Sequence, residues 1–202
     1  MIILNYGEIV IRGKTIEEVF LSTYICHPSL ANNEISGPAV TSFIAKWLLG
    51  CDEELKYTYR IIFIPETIGA IAYIHRNLDI LKTRVIAGIN VTCVGDQQAY
   101  SYMPSRKGGT IADRAVIHVL SNIDPDFKRY SFLERGSDER QYCSPGVDLP
   151  MCSFMRSKYA EYPEYHTSDD NMDFISSQGL GQSYDVLKKC INIFERNSSY
   201  YI

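Results

Sequence analysis

The sequence predicts an α/β sandwich, and three observations carry that expectation. Short β-branched apolar runs alternate with stretches of helical period. The chain is 202 residues long and 46% apolar, enough for one buried sheet covered on both faces. No internal repeat, low-complexity tract or long linker divides it.

Glu18 to Ile25 reads as a buried strand. Ser36 to Leu49 then reads as a helix, because Val40, Phe43, Ile44, Trp47 and Leu48 fall on one stripe. Ser36 suits the N-cap, Pro38 the first turn and Gly50 the stop. Tyr57 to Ile64 is a second strand, followed by a short helix over Thr67 to Arg76. Val85 to Val94 is a third strand, ended by Gly95-Asp96. Thr110 to Leu120 reads as a helix, Leu149 to Met155 as a short strand, and Gln178 to Arg196 as an amphipathic helix. The pattern implies a single domain over residues 1–202: a three-layer α/β/α sandwich on a mixed, largely parallel sheet.

Composition narrows the function classes. Twenty basic against 24 acidic residues give a net charge of −4, which argues against nucleic-acid binding. Apolar runs such as Ile61 to Ile64 are far below the roughly 20 residues of a membrane span. Glu8 interrupts the N-terminal apolar stretch, so no export signal is expected and the location is read as cytoplasmic. Cys26, Cys51, Cys93, Cys143, Cys152 and Cys190 are scattered without a CxxC pair, which reads as reduced, mostly buried thiols.

Sheets of this kind bind ligands beyond the carboxyl ends of their strands, and the chemically unusual residues collect there. His27 follows the first strand and Glu66 the second; His166 follows the late short strand, and Asp138 sits in a polar loop. Singly, each has a plain structural explanation: a loop histidine, a carboxylate at a helix N-terminus, a turn cap. His75 and His118, inside helical stretches, are read as structural. Two imidazoles and a carboxylate together make an open zinc site with a fourth position for water. A separate carboxylate would move the proton, and Asp170 would fix the tautomer of a ligand histidine.

Five segments carry a resemblance: CHPSLANNEISGP at Cys26 to Pro38, FIPETIGAIAYI at Phe63 to Ile74, CVGD at Cys93 to Asp96, RGSDERQYCSPGVDLP at Arg135 to Pro150, and YPEYHTSDDNMDF at Tyr162 to Phe174. They resemble the aminopeptidase-like domain of a bacterial family associated with polysaccharide biosynthesis, itself related to the zinc aminopeptidases of the phosphorylase/hydrolase-like fold. Members are longer, so this chain resembles their catalytic core or a fragment. The resemblance implies His27, His166 and, through a Ser-Asp-containing loop, Asp138 as zinc ligands, with Glu66 as general base.

Three acidic ligands of the two-metal aminopeptidases are replaced by Asn33, Thr67 and Thr92, so one zinc ion is expected. Asn33, Glu139, Arg140, Arg156 and Tyr165 are the candidate substrate contacts. Acidic groups such as Glu139, Glu164 and Asp169 would meet a peptide amine, and arginines an acylated or carboxylated sugar. Two functions stand open at this point. One is a zinc hydrolase acting on a peptide or acylated small molecule; the other is a non-catalytic zinc-binding or regulatory module. Oligomeric state is not legible.

Overall fold

The computed structural model describes residues 4–197. Seven strands form one sheet: β1 (Gly7–Ile11), β2 (Glu18–Tyr24), β3 (Thr58–Ile64), β4 (Val85–Val91), β5 (Ser101–Met103), β6 (Lys128–Arg129) and β7 (Met151–Met155). Their order is β1-β3-β2-β4-β7-β5-β6. The inner pairs β3/β2, β2/β4 and β4/β7 are parallel, while β1 on β3 and β5 on β7 are antiparallel. The sheet is therefore mixed and largely parallel, as the alternating pattern implies.

Side chains of β2 alternate between the two faces, which is why its whole length is apolar or buried. Val19 and Leu21 join a core with α1 (Ser36–Leu49), α3 (Ile111–Ile123) and α5 (Ser177–Arg196). Phe20 faces the other way, into a core with α2 (Ile68–Arg84) and α4 (Glu139–Tyr142). These are the three layers. The chain leaves β2 for β3 over α1, then crosses back past β2 to β4 over α2 on the opposite face. That reversal opens a crevice at the carboxyl end of β2.

Several boundaries differ from the sequence reading. The second helix runs to Arg84 rather than Arg76, because Leu78 and Leu81 continue its packed stripe and no Gly or Pro intervenes before β4. The third strand ends at Val91, since Cys93 turns into positive φ (51°) and leaves the ladder. Ser36 is not the cap of α1: a π-helical turn over Ala31–Ile35 precedes it, and the Ser36 hydroxyl donates to Asn32 O (2.5 Å). All six cysteines are free thiols, four of them buried, with Cys26 exposed. Among the described residues, no helix is long and apolar enough to cross a membrane.

Candidate metal centre

Three chain segments meet in the crevice. Cys26 and His27 follow β2, Glu66 follows β3, and His166 arrives on the loop between β7 and α5. The rings of His27 and His166 lie 5.0 Å apart, and Tyr165 stacks on His166 at 3.9 Å. Cys26, His27 and Glu66 each offer a donor atom, and these atoms all lie within 4.8 Å of one another. Among the described residues, neither Asp138 nor His166 joins that trio at this radius.

The backbone that presents these groups is strained. Thr67 has φ 61° and ψ −71°, and the Ile68 N–H donates to Glu66 O (2.7 Å), closing a three-residue γ-turn in its rare positive-φ form. A β-branched residue in this region is a true outlier, costing of order 1–3 kcal/mol. His166 (φ 57°) and Cys93 (φ 51°) also adopt positive φ without being glycine. The Thr67 N–H donates to Asp138 Oδ1 (2.7 Å), so buried Asp138 braces the turn that carries Glu66. Its other oxygen, Oδ2, is buried without a hydrogen-bond partner, as is Asn33 Oδ1.

The crevice is short of positive charge. Burial pushes the Asp138 carboxyl up to about 8, with Glu66 and Glu139 adding to the rise against the Thr67 N–H and Arg140. Glu66 is raised for the same first reason, opposed by a Ser137 hydrogen bond and by His27. Although Cys26 is exposed, partial desolvation of its thiol lifts it to about 11 against a hydrogen bond with the Glu66 backbone, and the carboxylates Glu34, Glu66 and Asp138 add to the rise. So protonated a thiol is a poor nucleophile at neutral pH. Partial desolvation and the neighbouring His27 lower the proton affinity of the largely exposed His166, against Asp170. A bound dication would reverse the bias on the acidic groups. Neutral imidazoles, carboxylates and a thiol are the donors zinc takes, and two buried oxygens without partners mark the site as electrostatically unfinished. The residues fit the ion.

The remaining sequence candidates separate into neighbours and structural groups. Asp170 does not bond either histidine: its carboxylate accepts from Asn32 N (2.6 Å), Asn33 N (3.0 Å) and the Tyr162 hydroxyl (3.1 Å), fastening the π-helical turn. Glu34 instead contacts His27 Nδ1 (3.2 Å), the tautomer-fixing contact expected of Asp170. Glu139 has both oxygens engaged: Gly136 N, Ser137 N and Tyr159 on Oε1, Asn90 and Ser153 on Oε2. It has no free acceptor for a substrate amine. Arg156 is buried against the Tyr100 ring (3.8 Å) and donates to Gln182 (3.1 Å), among partners outside the trio. Arg140 is exposed and donates to Thr67 Oγ1 (2.8 Å), which keeps it at the rim of the crevice. Asn33 donates to Tyr24 (2.7 Å), whose hydroxyl also bonds Thr92.

Cys26 and Glu34 are the two participants that sequence reasoning passed over. The adjacency of a cysteine to His27 directly after a strand was the available signal for the first. For Glu34 it was a lone acid inside Ala31-Asn32-Asn33-Glu34, which returns beside the strand end through the π-helical turn.

Relatives agree with this architecture. A provisionally named polysaccharide biosynthesis protein with an aminopeptidase-like domain from Clostridium acetobutylicum is 43% identical over 197 residues, 98% of this chain and 44% of its own. The chain thus spans less than half the length of the curated relative it matches. The crystal structure of a provisionally named peptidase from Clostridium acetobutylicum superposes with a TM-score of 0.91 at 42% identity, over 96% of this chain and 45% of that one. BSAP, a zinc aminopeptidase from Bacillus subtilis, shares the fold with a TM-score of 0.75 at 16% identity, over 98% of this chain and 51% of its own. Residues 2–197 match the profile of a family described as a domain of unknown function, DUF4910, and the chain belongs to that family, built on the aminopeptidase fold.

Proposed function

We propose that the crevice is the active site of a zinc-dependent hydrolase that cleaves an amide bond. The carrying observation is the convergence of His27, His166, Glu66 and Cys26 from three segments onto one strand-end crevice, on backbone held in strain. His27 and His166 would hold one zinc ion together with a third, anionic donor. When bound there, zinc would polarise an amide carbonyl and acidify a coordinated water. Glu66 takes the proton from water and returns it to the leaving nitrogen. Burial lifts its proton affinity from the ordinary carboxylate value, the direction a group that must both accept and donate requires. Glu34 orients the His27 ring through Nδ1.

One ion is favoured over two. Asn33 and Thr92, where the two-metal aminopeptidases carry acids, both bond the Tyr24 hydroxyl, and so form a neutral cluster. Substrates in this reading are peptides or acylated small molecules. The relative named for polysaccharide biosynthesis makes an N-acyl sugar the first compound class to assay.

The test is Glu66→Gln on the zinc-loaded protein. An amide cannot take the proton, so turnover on peptides, aminoacyl amides or N-acyl sugars should fall roughly 10² to 10⁴-fold. About one equivalent of zinc should be retained. Undiminished activity would remove Glu66 from the chemistry. Bound zinc without wild-type activity on any class would favour a non-catalytic zinc-binding module on the same fold.

A further inference from the structure

The third donor is open in the reading above. Asp138 is the carboxylate the sequence points to, yet one of its oxygens is committed to the Thr67 N–H. Cys26 lies with His27 and Glu66 in the group whose donor atoms gather within 4.8 Å. Its Sγ sits 3.3 Å from His27 Nδ1. Glu34 contacts that same nitrogen, so Nε2 is the nitrogen His27 would turn to a metal, and it is the gathering of the three donor atoms that brings Cys26 to the same ion.

The position of Cys26 is built as well as close. Glu34 is buried and clamps the Cys-His corner at two points: one oxygen accepts from the Cys26 backbone N–H, the other contacts His27 Nδ1. That clamp fixes the Cys26 backbone and the His27 imidazole relative to each other at the end of β2. A thiolate also supplies negative charge where Asn33, Thr67 and Thr92 supply none. With a thiolate at Cys26 and the carboxylate of Glu66, the charge of one dication is balanced by the trio itself.

We propose that Cys26 is a protein ligand of the crevice metal, making the centre a thiolate-imidazole site with His27 and His166. This inference rests on the zinc reading of the crevice. It distinguishes this chain from a site built of imidazole and carboxylate alone, and makes the centre sensitive to thiol oxidation and alkylation.

Cobalt(II) is the probe that separates the two claims. Titrated into the full chain, it should give visible d–d absorption of a four-coordinate site together with a near-ultraviolet thiolate-to-cobalt charge-transfer band. Cys26→Ser should keep the d–d absorption, lose the charge-transfer band and weaken zinc binding by at least about 100-fold, since even outer-shell changes cost 10–100-fold. Cys93→Ser, altering a thiol outside the trio, should keep the band. A d–d spectrum without a charge-transfer band in the wild type would overturn Cys26 ligation and leave the zinc reading standing. Absence of any d–d spectrum would overturn both. Alkylation gives a check independent of any variant: bound zinc should slow iodoacetamide modification of Cys26 at least about tenfold. An unchanged modification rate at full zinc occupancy would also overturn the assignment.

Discussion

Asp113 and Asp138 are both fully buried, and the turns that hold them are built in opposite ways. At the start of α3, Asp113 accepts five hydrogen bonds: Tyr102 and Ser105 N on Oδ1, and the Ser105 hydroxyl, Thr110 N and Thr110 hydroxyl on Oδ2. Burial alone would raise its proton affinity, but these donors outweigh it and hold the carboxyl below its ordinary value. The loop before it passes through positive φ at Gly108 and Gly109, where glycine adopts it freely. At the crevice, Asp138 accepts one bond and leaves Oδ2 without a partner, and the positive-φ residue is Thr67. At equal burial, one carboxylate is satisfied by its own turn, and the other braces the strained turn that carries Glu66. An oxygen without a partner and a strained backbone coincide at Asp138 and Thr67, in the crevice proposed above as the active site.

The largest expected effect lies at the satisfied turn. Asp113→Asn places an amide N–H₂ against groups that all donate, so it should destabilise the fold by about 3 kcal/mol in chemical denaturation. Asp138→Asn keeps the acceptor for Thr67 and replaces a costly buried carboxylate with a neutral amide. It should stay within about 1 kcal/mol of wild type. Equal losses at the two positions would erase the distinction.

Acid should sharpen the same contrast. The folded Asp113 carboxyl lies below its unfolded value, which is about 3.9, so its contribution is complete above that pH. The contribution is lost as pH falls through the folded value. The stability gap between wild type and Asp113→Asn should hold from pH 7 to pH 5 and narrow below about pH 4. A gap that is constant down to pH 3 would show that the five hydrogen bonds do not favour the charged form.

The same contrast explains what the sequence makes legible. Helix α1 is found at its true bounds because apolar spacing, Pro38 and Gly50 all agree. The sequence reading has no counterpart for β1, β5 and β6: β1 is an edge strand with only Ile11 buried, and the other two have three and two residues. At the crevice, local preference and actual structure disagree. A threonine after Glu66 announces a helix start, and α2 does begin at Ile68; what it does not announce is the γ-turn in which Asp138, 71 residues away, holds Thr67. Asp170, near His166 in sequence, reads as a partner of the imidazole, while its oxygens face the N–H groups of Asn32 and Asn33. Cys26 looks like one of six scattered thiols until the strand end gathers it with His27 and Glu66. The motif types and their strand-end placement are local information; who bonds whom in the crevice is set by contacts distant in sequence.

The smallest effect tests the strain directly, with a mirrored pair of substitutions. Gly108 has φ 65° and open space where a Cβ would stand, so Gly108→Ala meets only the backbone penalty. It should lose about 1 kcal/mol. Thr67→Gly runs the other way: it releases the penalty of a β-branched residue at φ 61° and gives up some stability through the looser unfolded chain. Its exposed partner Arg140 loses a hydrogen bond of little net value. The balance should be a gain of up to about 1 kcal/mol, read as a raised denaturation midpoint with an unchanged slope. In the hydrolase reading the same variant should turn over substrate more slowly, because the turn no longer fixes Glu66. Stability gained with activity lost would identify Thr67 as strain retained for positioning. A loss of stability at Thr67→Gly as large as that at Gly108→Ala would mean that the γ-turn carries no strain, and the two turns would differ only in their hydrogen bonds.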